Sequence, residues 1–171
     1  ASVQTGAARY TNIARGIKAY LEETLWRDGT LYRAIANDEP LGVVALADYA
    51  YLARAFLDFA RWSGDSADLR LATEVAKAGW RDFRVANGWR REPGRALAES
   101  GLHEIFSDDS LPAPDAVLAK VSLQLARAGA DPALSRWARA MLDRAYDTVA
   151  QNPFSHASRL AALALAVSDG G

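Results

Sequence analysis

The chain has 171 residues, half of them apolar and 24% charged, with a formal net charge of −1 and no cysteine. That length suits one domain with a sizeable core and is short for two. Arginines scattered among nearly equal acid give no basic footprint for nucleic acid, and the missing cysteines exclude disulfides, thiolate metal ligands and thiol catalysis.

The N-terminal Ala1-Ser2-Val3-Gln4-Thr5-Gly6 carries neither an initiator methionine nor the apolar core of a signal. The chain is therefore read as a C-terminal fragment of a longer protein. A first helix is predicted over 6–26, where Ile13, Ile17, Tyr20, Leu21 and Leu25 recur at helical spacing. Trp26-Arg27-Asp28-Gly29 follows with Leu31 and Arg33, and Asp-Gly favours a tight reversal because both residues tolerate positive φ. A second helix, over 41–63, is apolar nearly all round. Its charges Arg54, Asp58 and Arg61 share one narrow stripe, the pattern of a helix buried on most sides. Gly64 supplies a left-handed end, and Asp65 or Ser66 caps a third helix over 67–85.

Ala86-Asn87-Gly88-Trp89-Arg90-Arg91 gives a second reversal and opens a long connection over 86–114, a length at which loops often carry function. A fourth helix is predicted over 115–128. Asp131-Pro132 starts a fifth, since aspartate accepts from free amides and proline fits the first turn. It runs to about 150, and Asn152-Pro153 breaks the chain before a sixth helix over 155–167. No long strand is predicted. The longest apolar run, 160–167, is far below the roughly 20 residues of a spanning helix. No membrane partner is expected, and the expected location is cytoplasmic.

The chain repeats itself imperfectly at an offset of about 66 residues, the mark of stacked supersecondary units. Residues 50–61 align with 116–127, and Asp65, Ala67, Arg70, Ala72 and Trp80 fall on Asp131, Ala133, Arg136, Ala138 and Tyr146. Lys120, Gln124 and Arg127 take the places of Arg54, Asp58 and Arg61. Asp48-Tyr49 falls on Pro114-Asp115, so the second copy lacks the first copy's carboxylate position. Ala-rich apolar helices (second, fourth, sixth) alternate with amphipathic ones (first, third, fifth), which predicts two layers with the apolar helices inside.

Trp26-Arg27-Asp28-Gly29 with Leu31 and Arg33, Leu46-Ala47-Asp48-Tyr49-Ala50-Tyr51-Leu52, Trp62-Ser63-Gly64-Asp65 and Ser107-Asp108-Asp109-Ser110-Leu111-Pro112 occur in that order. In order and spacing they resemble the C-terminal helical region of bacterial thioredoxin-domain-containing proteins related to spermatogenesis-associated proteins. That region is similar to the α/α toroid of six-hairpin glycosidase-like proteins. The resemblance covers most of this chain and only the last part of that family's length. It departs at Ala113-Pro114-Asp115-Ala116, where the family usually carries small polar residues. It implies an all-α domain spanning 1–171, with three helical hairpins forming an arc or half of an α/α toroid. It also implies a thioredoxin-like domain upstream, whose redox role does not pass to these residues. Three hairpins leave two open apolar edges, and such patches mark interaction surfaces. The expected cover is a second copy, the missing N-terminal part of the parent protein, or a tilt that closes the arc.

Asp48 stands away from the charged stripe on an otherwise apolar helix, and a buried carboxylate needs partners. It reads either as a general acid/base or sugar-hydroxyl ligand, or as an aspartate satisfied by backbone amides or an arginine. Asp108 and Asp109 read either as partners of Asp48 across a cavity, as glycoside hydrolysis requires, or as a turn and helix-capping pair. Tyr49, Trp26, Arg33, Trp89 and Arg91 are candidates to stack on and hydrogen-bond a sugar ring or anion, or else aromatic-basic closures over a core. His103-Glu104 has no second histidine at metalloprotease spacing, His156 is isolated, and no phosphate loop appears. Neither metal nor cofactor is expected.

Three functions follow: a non-catalytic or ligand-binding module of a thioredoxin-domain protein, a glycosidase or sugar epimerase-like domain using Asp48 with Asp108 or Asp109, or a helical-repeat protein-binding scaffold. The offset of about 66 residues argues against the scaffold, because simple solenoids repeat every 33–47 residues or so. The ligand expected is a small carbohydrate.

Overall fold

The computed structural model describes residues 8–86, 88–90, 102–103 and 106–168. Helix α1 (Ala8–Tyr20) runs on into a wider π-type turn over Leu21–Leu25. Its apolar positions do not all turn inward. Ile13, Ile17 and Tyr20 are 55%, 55% and 51% exposed, while Leu25, past the helix, enters the core. Charge helps hold α1 to the body: Lys18 Nζ lies 2.6 Å from Glu22 and 2.9 Å from the buried Asp68. Asp68 also accepts from the Ser63 hydroxyl at 2.7 Å.

Strands β1 (Trp26–Arg27) and β2 (Thr30–Leu31) pair antiparallel, with Trp26 opposite Leu31. Asp28 and Gly29 turn between them at φ of 50° and 74°, the two-residue reversal predicted from Asp-Gly. A second hairpin, β3 (Ala34–Ala36) with β4 (Glu39–Leu41), is not predicted by the hydrophobic pattern. It turns through Asn37 and Asp38, both at positive φ. Leu41 is thereby held opposite Ala34, so the second helix begins at Leu46 and not at 41.

Helix α2 (Leu46–Ser63) ends on Gly64 at φ 73°, whose amide donates to the Ala60 carbonyl at 2.8 Å. Helix α3 (Ser66–Phe83) is capped by Asp65, which accepts from the Ala67 amide at 2.8 Å. The third helix stops at Phe83, short of the predicted 85, because strand β5 (Arg84–Val85) pairs with β6 (Gly88–Arg90), which pairs with β7 (Leu102–His103); β6 and β7 lie within the long predicted connection. Helix α4 (Pro114–Arg127) and helix α5 (Pro132–Arg144) both begin on proline. The predicted fifth helix is divided at the buried Ala145, where ψ is −1°, and α6 (Tyr146–Gln151) follows as a short piece. After the Asn152-Pro153 break, a 3₁₀ turn over Phe154–His156 leads into α7 (Ala157–Val167).

The described residues are thus mostly helical, with strands of only two or three residues. None of their helices is long and apolar enough to cross a membrane. Helix α2 packs on α3 and α4, and α4 also packs on α3, α5 and α7. Fully buried Ala50, Ala53, Ala72, Ala76, Ala116 and Ala119 let these backbones approach closely. Gly79 marks the tightest approach, where a Cβ would meet Tyr49 Cβ at 3.3 Å and Leu118 Cδ2 at 3.4 Å. The buried polar atoms between α3 and α4 are satisfied in turn: Trp80 Nε1 donates to Ser122 Oγ at 2.8 Å, and that hydroxyl donates to the Leu118 carbonyl at 2.7 Å.

Candidate functional site

Two adjoining grooves lie at the N-terminal end of α2. One, of about 420 Å³, is lined by Leu21, Leu31, Arg33, Asp48, Tyr51 and Leu111 among others. The other, of about 310 Å³, includes Tyr51, Phe106, Asp109, Leu111 and Pro112. Tyr51 and Leu111 border both, so Asp48 and Asp109 sit in neighbouring compartments of one surface. The Tyr51 hydroxyl donates to the Pro112 carbonyl at 2.8 Å and fixes the loop before α4 against α2. Burial, with some help from the Asp108 charge and against Arg54, raises the Tyr51 hydroxyl above its ordinary range.

Asp48 occupies the third position of α2, and one of its oxygens accepts from the Ala45 amide at 2.8 Å. This is the acidic half of a capping box. Ala45 has no side-chain oxygen to return the bond, so the helix start depends on Asp48 and on its charge near the positive helix end. The carboxylate is half-buried and borders the larger groove.

Asp108 is fully engaged. One oxygen accepts from the Ala113 amide at 2.8 Å and from the Ser158 hydroxyl, and the other accepts from the Ser158 amide at 2.7 Å. Its own amide donates to the Ser155 carbonyl at 2.7 Å. The residue therefore ties the entry of α4 to the first turn of α7. Burial pushes this carboxyl up, yet the Ser158 and Ala113 hydrogen bonds, with His156 nearby, hold it below the usual carboxylate range. Asp109 is exposed.

The proposed aromatic platforms lie in the core. Tyr49 and Trp89 are each 1% exposed and Trp26 is also buried. Tyr49 packs edge-on against Trp26 and Phe83, and its hydroxyl accepts from the Leu31 amide at 3.1 Å, supporting the first hairpin. Trp89 lies against Trp80 with ring centroids 4.9 Å apart. These rings have no free face to offer a sugar: Tyr49 points from α2 into the core, and the short strands that carry Trp26 and Trp89 pack their rings against α2 and α3. Arg33 does border the larger groove and donates to the Val43 carbonyl at 3.4 Å. Arg91 lies outside the described residues.

Asp115 and Arg159, not among the residues singled out from the sequence, form a pair inside the core. Both are fully buried, with Arg159 Nη2 at 2.5 Å from Asp115. Asp115 also accepts from the amides of Phe106 at 3.3 Å and Ala116 at 2.8 Å. A lone arginine in the apolar run of α7 and a lone acid opening apolar α4 were the available signal, since isolated charges on buried faces need each other. Among the described residues no cluster of His, Asp or Glu could hold a metal ion. The chain matches no family model, and no curated protein is similar to it in sequence.

Proposed function

We propose that this chain is a non-catalytic, ligand-binding helical module, an arc of an α/α toroid within a larger thioredoxin-domain-containing protein. Its binding surface is the pair of joined grooves at the start of α2, and its ligand is a small carbohydrate. The observation that carries the non-catalytic reading is Asp108. A hydrolytic pair needs one carboxyl with a raised pKa to give up a proton and another free to attack or to activate water. Asp108 has both oxygens spent on Ala113 and Ser158 and is held low. The arc is supported by the packing: α3 touches both α2 and α4, and α5 touches both α4 and α7. Membership of a larger protein is supported by the resemblance and by the exposed Ile13, Ile17 and Tyr20 on α1 and Val167 on α7.

A titration with mono- and oligosaccharides, followed by amide chemical shifts, tests the reading. Shifts at 31–33, 47–51 and 109–112 are expected. Asp48→Asn weakens binding about tenfold, the worth of one charge-assisted hydrogen bond. No response to any sugar removes the carbohydrate ligand. Turnover of a sugar by the wild type, lost in Asp48→Asn, replaces the binding module with the enzyme, for which Asp48 and Asp109 in adjoining compartments would be the pair.

A further inference from the structure

The two copies of the repeat converge on one cavity. Arg54, Asp58 and Arg61 of α2, with Lys120 and Gln124 of α4 and Ser158 of α7, line a groove of about 290 Å³. This follows from the fold: α2 and α4 are neighbours, and each turns its single polar stripe to the same side. The copies differ in one respect that matters electrostatically. In α2 an acid sits between two bases, with Asp58 3.7 Å from Arg54 and 3.4 Å from Arg61. The repeat equivalent of Asp58 is the uncharged Gln124. Lys120 is half-buried and, among the described residues, has no ion pair or hydrogen-bond partner. The third residue of its stripe, Arg127, leaves the groove and donates to the Leu165 carbonyl at 2.9 Å and the Ser168 hydroxyl at 2.8 Å.

Three bases against one acid give the groove a net positive charge. A cation partly withdrawn from water without a counter-charge has lost hydration and gained nothing in exchange, and an anion placed beside it restores the balance. We propose that this groove binds a small molecule bearing an oxyanion group, carboxylate or phosphate. Lys120 is the anchoring charge, Arg54 and Arg61 flank it, and the Gln124 amide donates beside it. The volume lies at the small end of ligand pockets, which fits a phosphorylated sugar or a hydroxy-polycarboxylate. Asp58 favours ligands that also present a hydroxyl or ammonium group. Lys120 and Gln124 border neither groove at the start of α2, so this site stands whether or not the carbohydrate reading does.

The test is an amide chemical-shift titration of the 171-residue chain with inorganic phosphate and, separately, with citrate, at ionic strength held constant with sodium chloride. Saturable shifts are expected at 54–61 and 120–124. Lys120→Gln weakens binding about tenfold or more, whereas Lys120→Arg, which keeps the charge, retains it. Gln124→Glu is the second variant. It restores the acid missing from the repeat, one turn from Lys120, and is expected to weaken binding about as much. Response to citrate alone assigns a carboxylate ligand, and response to phosphate alone assigns a phosphate. Shifts that chloride reproduces, or equal affinity in wild type, Lys120→Gln and Gln124→Glu, overturn the proposal. Saccharide shifts at the start of α2 are unaffected by either variant, which keeps the two sites' outcomes apart.

Discussion

Arg159 and Asp115 have no exposed surface and meet at 2.5 Å, with two backbone amides completing the acid's shell. Removing one member of such a pair leaves a buried charge without compensation. Arg159→Met is expected to lower stability by about 3–5 kcal/mol in urea unfolding, and Asp109→Asn, at an exposed position, to change it by less than about 0.5 kcal/mol. Asp108 contributes to the acid side of the pH profile. Its folded-state pKa is depressed, so the unfolded chain binds the proton more readily as pH falls. The stability it contributes is present above the ordinary carboxylate range and is lost as pH drops through and below it. Asp68 acts in the same direction: burial raises it, and the Ser63 and Lys18 hydrogen bonds more than offset this. Lys18 works on the other side. Burial lowers it, but Glu22 and Asp68 raise it overall, so its contribution holds below the usual lysine range and is lost in strong alkali. Thermal melts are expected to fall between roughly pH 5 and pH 2, with a shallower slope in Asp108→Asn.

Caps and turns decide where the elements begin and end. Gly64 at φ 73° closes α2 with nothing crowding its Cβ position, so Gly64→Ala meets backbone strain alone and is expected to cost about 1 kcal/mol. Asp38 at φ 63° holds the second hairpin in a conformation that glycine adopts more readily. Asp38→Gly is expected to stabilise the protein by about 0.5 kcal/mol, read as a rise in urea midpoint without a change in slope. That hairpin escaped the sequence reading for a physical reason. Its strands are mostly exposed, so they carry no alternation of apolar and polar residues, and only the Asn37-Asp38 pair marks them. The first hairpin was legible because Asp28-Gly29 names its own turn, and Trp26 and Leu31 supply a buried face. Gly64, Asp65 and Asp131 were legible for the same reason: a cap acts on its own helix, within a few residues.

At the scale of the whole molecule, outward apolar residues cluster on the first helix and recur on the last, with others at Leu41, Val43, Leu111, Tyr146 and Phe154. Ile13, Ile17 and Tyr20 are spaced one turn apart along α1, and Leu160 and Val167 lie on α7. If a second copy or the rest of the parent protein covers them, the chain alone should self-associate. Sedimentation at rising concentration is expected to show an increasing mass. Ile17→Lys combined with Val167→Lys should hold it at the monomer with an unchanged melt, since neither residue belongs to the core. A monomeric wild type at all concentrations would remove the second copy as the cover.

What the sequence determined by itself is what acts over short distances. The helix periods, their caps, the Asp-Gly reversal and the stripe on each helix follow from neighbours within a turn or two, and the repeat is a comparison of letters at an offset of about 66 residues. Only the tertiary structure decided the uses of the charges. Asp108 reaches Ser158 across 50 residues, Asp115 reaches Arg159 across 44, and Arg127 bonds to Leu165 across 38. Those pairings depend on α4 lying beside α7, a contact no local pattern encodes. They engage both oxygens of Asp108 and withdraw Arg127 from the stripe, whereas the acid missing beside Lys120 is already written in the sequence as Gln124. The repeat was legible as letters, and the place where its two copies meet was fixed by packing.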